Sequence, residues 1–218
     1  MNGLEMRRRA MMGRVDICPY SKDGLILWLD GKDQGNIAGA WVDRIGGEVF
    51  TAVSFVQFNN DHVYLTGGGY LSNTSFANPN ISNATIEIAV SGLYTSRINV
   101  VYMPKAEAFN AIAVGNYRGS IIWANKGRKS IIDIPNGCKL ISITGNSKNI
   151  IDGVPCSYSS GDYWDSANSL NYIGKRCGGN AFSGAIYSLR IYNRNLTADE
   201  MLENQRVDNQ RFGLGLNV

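Results

Sequence analysis

Histidine occurs once in the 218 residues, as His62. A Ser-His-Asp triad would have to be built on that imidazole, and no G-x-S-x-G turn is present to offer it a serine. A lone histidine in "NNDHVYL" therefore reads as a strand-edge residue. The four cysteines, Cys18, Cys138, Cys156 and Cys177, lie far apart without a C-x-x-C pair, so a zinc cluster lacks both its spacing and its imidazoles. Reduced cysteines packed as small apolar side chains are the expectation, with a bridge between two of the last three as the alternative. "TGGGYL" has no lysine of the phosphate-loop kind and no helix after it, so its glycines read as a tight turn or bulge.

Long apolar runs are missing as well. Nothing approaches the ~18 residues of a membrane-spanning helix, and no membrane span is expected. The stretch after Arg7–Arg9, "AMMGRVDICPY", is broken by Arg14 and Asp16 and does not form an export signal. Cytoplasmic synthesis or a place in a phage particle is expected ahead of Sec export. The glycosylation sequons at Asn73, Asn80, Asn83 and Asn195 then read as chance in an Asn-rich chain.

Charge is scarce: charged residues make up 18% and the net charge is only +3, part of it in Arg7, Arg8, Arg9 and Arg14. Residues 1–20 read as a basic N-terminal arm with a short helix over Leu4–Met12 as an option, solvated at its end. No basic stripe interleaved with aromatics follows, so no nucleic-acid partner is expected.

What the sequence does contain is turn-rich apolar chain, with 44% hydrophobic residues and 25 glycines. "LILWL", "VFTAVSFVQF", "HVYLTGGGYL", "TIEIAVSGLY", "KLISITGN" and "AIYSLRIYN" are among eleven or so short segments. They are β-branched or aromatic and bounded by Gly, Asn, Asp or Ser. With almost no helical periodicity between them, they predict an antiparallel two-sheet sandwich. No linker divides residues 21–218, which read as a single domain.

The stretch "FSGAIYSLRIYNRNLTADE" contains a strand that runs into a helix start. Alternation places Ala185, Tyr187, Leu189 and Ile191 on one face of the strand and Ile186, Ser188, Arg190 and Tyr192 on the other, predicting one buried and one partly wet side. Thr197 and Glu200 have the spacing of a capping box, and Leu196 and Met201 that of a hydrophobic staple. A helix from about Ala198 to Val207, ending before Gly213, follows.

"GLILWLDGKD", "WVDRIGG" and the closing "FSGAIYSLRIYNRNLTADEMLENQRVDNQRFG" together resemble the laminin G-like, concanavalin A-like jelly-roll domains common in gut bacteria and their phages. The resemblance covers about residues 20–213. It rests on Trp41 and Asp43, then on Gly184, Ile186, Leu189, Arg190, Tyr192, Asn193, Leu196, Thr197 and Glu200. It implies an all-β, two-sheet antiparallel jelly-roll sandwich with a short C-terminal capping helix, and assigns those residues to core and cap. Glycan binders, adhesion modules, enzyme appendages and virion proteins share this fold.

Retaining glucanases of the same superfamily carry two carboxylates about 5 Å apart, alternating on one strand. "ATIEIAVSG" offers Glu87 alone, with Ala89 and Ser91 in place of partners, so no enzyme activity is expected. Asp162 and Asp165 in "SGDYWDSAN" are the one close acidic pair beside aromatics, and turn formation is their simplest role. For calcium, Asp30, Asp33 and Asn36 in "DGKDQGN" offer hard oxygen ligands, but Lys32 and Gln34 spoil the EF-hand spacing. A structural turn is favoured there, and calcium stays open.

A sugar site sets an aromatic face against a pyranose and surrounds it with amide and carboxylate groups. Tyr158, Asp162, Tyr163, Trp164 and Asp165 have that composition, as do Asn116 and Tyr117 in "GNYRG". The first expectation is a non-catalytic module that recognises a glycan or cell-surface ligand. The second is a phage or prophage virion protein, partnered by other virion proteins through the N-terminal arm.

Overall fold

The computed structural model describes residues 18–79, 83–93, 99–103, 114–117, 120–125, 128–133, 137, 139–146, 148–156, 171–175 and 181–218; between 99 and 133 the backbone alone is described. Among the described residues the chain forms two eight-stranded sheets and one helix. Sheet A runs in the order β14 (Val154–Cys156), β13 (Asn149–Ile151), β12 (Leu140–Thr144), β7 (Thr85–Ser91), β16 (Gly184–Tyr192), β5 (Val63–Leu65) and β4 (Val56–Phe58), with β1 (Leu25–Asp30) also paired to β16. Sheet B runs β11 (Arg128–Asp133), β10 (Ser120–Asn125), β9 (Val114–Tyr117), β8 (Asn99–Met103), β15 (Asn171–Ile173), β6 (Tyr70–Asn73), β3 (Val49–Val53) and β2 (Ala40–Val42). Every strand pairing described is antiparallel, as the two-sheet sandwich predicted.

Two of the expected strands are each split between the sheets. "VFTAVSFVQF" breaks at Ser54, whose φ of 63° turns the chain from β3 in sheet B to β4 in sheet A. "HVYLTGGGYL" returns from β5 to β6 through Gly67 and Gly68, so its glycines form the turn expected of them. The crossings interlock, with the Thr66 amide donating to the Phe55 carbonyl. A Cβ at Gly69 would stand 2.2 Å from that same oxygen, which leaves room only for glycine.

Between the sheets lies a continuous apolar core that includes Leu27, Trp41, Phe50, Leu71, Ile86, Ile88, Ile173 and Leu189. Trp41 is fully buried and its indole N–H donates to the Asp30 carbonyl at 3.0 Å. Asp43 accepts from the amides of Trp28, Ile45 and Gly46, tying β1 to the turn after β2. Cys156 packs partly buried against this core as a free thiol, with its pKa pushed up to about 11 by burial. Cys18 is also free; Cys138 and Cys177 lie outside the described residues.

Strand β16 departs from simple alternation. A bulge between Ile186 and Ser188 shifts the phase, so that Ile186 joins Leu189 and Ile191 in the core between the sheets. Tyr187 packs elsewhere, beside Phe212. The second face, expected to be partly wet, is closed: Ser188, Arg190 and Tyr192 are all fully buried.

The lid over that face is α1 (Ala198–Phe212). Thr197 and Glu200 form the capping box, and Leu196 and Met201 share a buried apolar cluster with Tyr20 and Trp28. The helix runs five residues past the predicted Val207, because Asp208 and Phe212 continue its buried face. Gly213, left-handed at φ 62°, then ends it with its amide on the Asn209 carbonyl.

Candidate functional site

On the outer face of sheet A, β7, β12 and β16 present Glu87, Ser142, Ser188 and Arg190 to the helix. Arg190 holds Asp208 through two hydrogen bonds of 2.9 and 2.6 Å and donates to Glu87 at 3.1 Å and Ser188 at 2.8 Å. Glu87 further accepts from Ser142 and Asn204, and Gln205 donates to Ser142. Tyr20 closes the top: its hydroxyl donates to Asp208 at 2.7 Å and its ring lies 3.8 Å from the guanidinium. Burial pushes the Glu87 carboxyl above its ordinary range while Arg190 opposes it. For Arg190 burial disfavours the charge, and Asp208 and Glu87 more than offset that.

This arrangement decides what Glu87 can do. At 1% exposure, with both oxygens engaged, it has no path to a glycosidic oxygen. Asp208, which sequence reading did not bring near it, shares its arginine and is equally buried. The cluster pins the helix to the sheet, and every charge in it has a partner.

Asp30, Asp33 and Asn36 lie at the turn that ends β1, where the two carboxylates are already engaged. Asp30 accepts from the Lys32 amide and from Arg211 at 2.5 Å, and Asp33 is held by Arg44. Their carboxylates are committed to arginines, while Asn36 is exposed on the turn. Among the described residues no group of three or more His, Cys, Asp or Glu is placed to hold a metal. His62 sits at the edge of β5, hydrogen-bonded to Asp61 at 2.6 Å and Asn59 at 2.9 Å.

The outer face of sheet B differs. Leu71 and Ile173 point into the core, so alternation turns Tyr70, Ser72 and Tyr172 outward, with Thr51 and Val53 beside them on β3. Tyr70 and Tyr172 meet edge to face with centroids 5.6 Å apart. The Lys175 ammonium sits 4.1 Å from the Tyr70 ring centre and 6.0 Å from that of Tyr172. Among the described residues no carboxylate pairs with Lys175, and no hydrogen-bond partner engages the phenol hydroxyls. Ser72 is half-buried and Thr51 exposed, so hydroxyls border the aromatic pair.

Of the expected ligand residues, Tyr158, Asp162, Tyr163, Trp164 and Asp165 lie outside the described residues. Asn116 and Tyr117 fall on β9 at the hairpin to β10, opposite Ile121 and Ser120. The Tyr70, Tyr172 and Lys175 group escaped sequence reading, although a signal was present. "GYLSN" and "NYIGK" each set a tyrosine beside an aliphatic residue in a short strand, the pattern of an aromatic on the face opposite the core.

Neither a family model nor a curated protein sequence matches this chain. Solved structures do match its fold. Domain 4 of AbnA, an extracellular arabinanase from Geobacillus stearothermophilus solved in complex with arabinotriose, aligns with a TM-score of 0.64 at 15% identity, over 84% of this chain and 98% of that one. The receptor binding domain of botulinum neurotoxin D aligns at 0.61 and 16% identity, over 87% of this chain and 54% of its own. Trypanosoma rangeli sialidase, in complex with sialic acid, aligns at 0.57 and 12% identity, over 95% of this chain and 38% of that one. The chain thus spans about half of the toxin domain and about two fifths of the sialidase. At these identities the likeness is one of fold alone, a two-sheet antiparallel β-sandwich.

Proposed function

We propose that this chain is a non-catalytic binding module that recognises a glycan or another cell-surface ligand. The observation that carries the reading is the contrast within the molecule. The carboxylate strand of sheet A is sealed under a helix, while sheet B offers a cation and an aromatic pair whose hydroxyls have no partner among the described residues. The arabinanase domain, whose full length this fold spans and which was solved with arabinotriose, supports it. The loop containing Tyr158, Tyr163 and Trp164 is proposed as a second contact, with Asn116 and Tyr117. The closing motif supports membership of the laminin G-like class, because Gly184 to Tyr192 and Thr197 to Glu200 occupy strand and cap positions.

A second reading, a structural or decoration protein of a phage or prophage particle, draws on Arg7, Arg8, Arg9 and Arg14 as an anchoring arm. A broad glycan array probed with the full chain, once with calcium and once with EDTA, separates the two. Saccharide binding that is indifferent to EDTA is expected. A well-folded sample that binds no saccharide would overturn the first reading and direct attention to assembly through residues 1–20.

A further inference from the structure

We infer that the Tyr70, Tyr172 and Lys175 platform is an acidic-sugar site, selecting saccharides that carry a carboxylate or sulfate; this rests on the glycan-binding reading above. Among the described residues the arginines near aromatic rings are also paired with carboxylates, Arg190 with Asp208 and Glu87, Arg211 with Asp30 and Arg44 with Asp33, while Lys32, 5.8 Å from the Phe212 ring centre, has no carboxylate partner. Lys175 is placed over Tyr70 by the same kind of contact, yet no carboxylate among the described residues answers it.

A half-buried ammonium has lost part of its water, and the ring quadrupole restores only some of that stabilisation. Its three N–H donors meet no carboxylate among the described residues, and an anionic ligand group would supply an acceptor through a charge-assisted hydrogen bond. Because Lys175 already covers the Tyr70 ring, Tyr172 is the ring left to take the apolar face of the sugar. Ser72, directly opposite Tyr172 on the neighbouring strand, and Thr51 opposite Ser72, supply hydroxyls for the sugar rim. The described face carries aromatic, hydroxyl and cationic groups at once, and no acidic residue on it would repel the anion.

The test is titration calorimetry of the full chain against two sets of probes. Trigalacturonate and 3′-sialyllactose carry carboxylates and a chondroitin sulfate tetrasaccharide adds sulfate, while galactotriose and arabinotriose are neutral. Binding of at least one acidic probe is expected, weakened by added salt. Lys175→Met should weaken it about tenfold or more, Lys175→Arg should retain most of it, and Tyr172→Ala should weaken it by a similar factor. Thermal melting of each variant checks that it is folded, and Ser72→Ala gives a milder probe of the same face. The class of acid that binds assigns carboxylate or sulfate. Binding of neutral probes alone, or acidic binding that Lys175→Met leaves unchanged, would overturn this inference while the glycan-binding reading stands. A folded protein that binds neither set would overturn both.

Discussion

The two outer faces of this sandwich are built from the same kind of residues and closed to different degrees. Both carry tyrosines and a cation in contact with an aromatic ring. On sheet A the cation, Arg190, is fully buried and holds two carboxylates, with Tyr20 and α1 closing over it. On sheet B the cation, Lys175, stands at a half-open surface with no carboxylate beside it among the described residues. Polar residues on the sheet A face are locked into structure by the helix that covers them, whereas among the described residues no helix packs on the sheet B face.

The comparison is sharpest in stability. Arg190→Met leaves Glu87 and Asp208 buried without their counter-charge and should cost about 3–5 kcal/mol in denaturant unfolding. Lys175→Met, on the open face, should stay within ~0.5 kcal/mol of wild type. Equal costs would break the distinction between the faces.

A smaller effect is expected from Tyr20→Phe, which keeps the ring over Arg190 but withdraws the hydroxyl from Asp208. A loss of about 1–3 kcal/mol is expected, because a buried acceptor loses one of its donors. No change would mean that the residues before the first strand merely rest on the network.

The helix cap comes next. Thr197→Ala should cost about 1 kcal/mol. Hydrogen bonds from Arg194 hold the Glu200 carboxyl down to about 2 from the ordinary 4.5. Its ionised form therefore stabilises the folded state above pH 4.5, and that contribution is lost as the pH falls toward about 2. Unfolding midpoints across this window should fall more steeply in wild type than in Glu200→Gln. Parallel profiles would show that the Arg194–Glu200 ion pair does not stabilise the fold.

The least effect is expected from calcium. With Asp30 engaged by Arg211 and Asp33 by Arg44, millimolar calcium should leave the melting temperature unchanged. A calcium-dependent rise abolished by Asp33→Asn would show that the turn releases its arginine to bind metal.

Much of the fold was legible because local chemistry and tertiary position agree. The Thr197 and Glu200 spacing announced the helix start, and β-branched runs between turn residues announced the strands. The bulge at Tyr187 was not legible, since alternation assumes an unbroken pleat. Nor was the crossing at Ser54, where "VFTAVSFVQF" has no glycine or proline to mark the break. The wet face expected for β16 was wrong because a helix's partner cannot be read from the strand it covers. Tyr70 and Tyr172 lie far apart in sequence, and only the pairing of β6 with β15 joins them. The Tyr158 to Asp165 candidates, by contrast, were chosen on the composition of one loop, outside the described residues.

In the proposed binding mode, ligand sits on the outer face of sheet B and leaves the sealed face of sheet A untouched. Hydrogen–deuterium exchange with and without saturating trigalacturonate tests it directly. Slower exchange over residues 70–73 and 171–175, with Ala198–Phe212 unchanged, is the predicted result. Protection over Ala198–Phe212, with the sheet B strands unaffected, would contradict it.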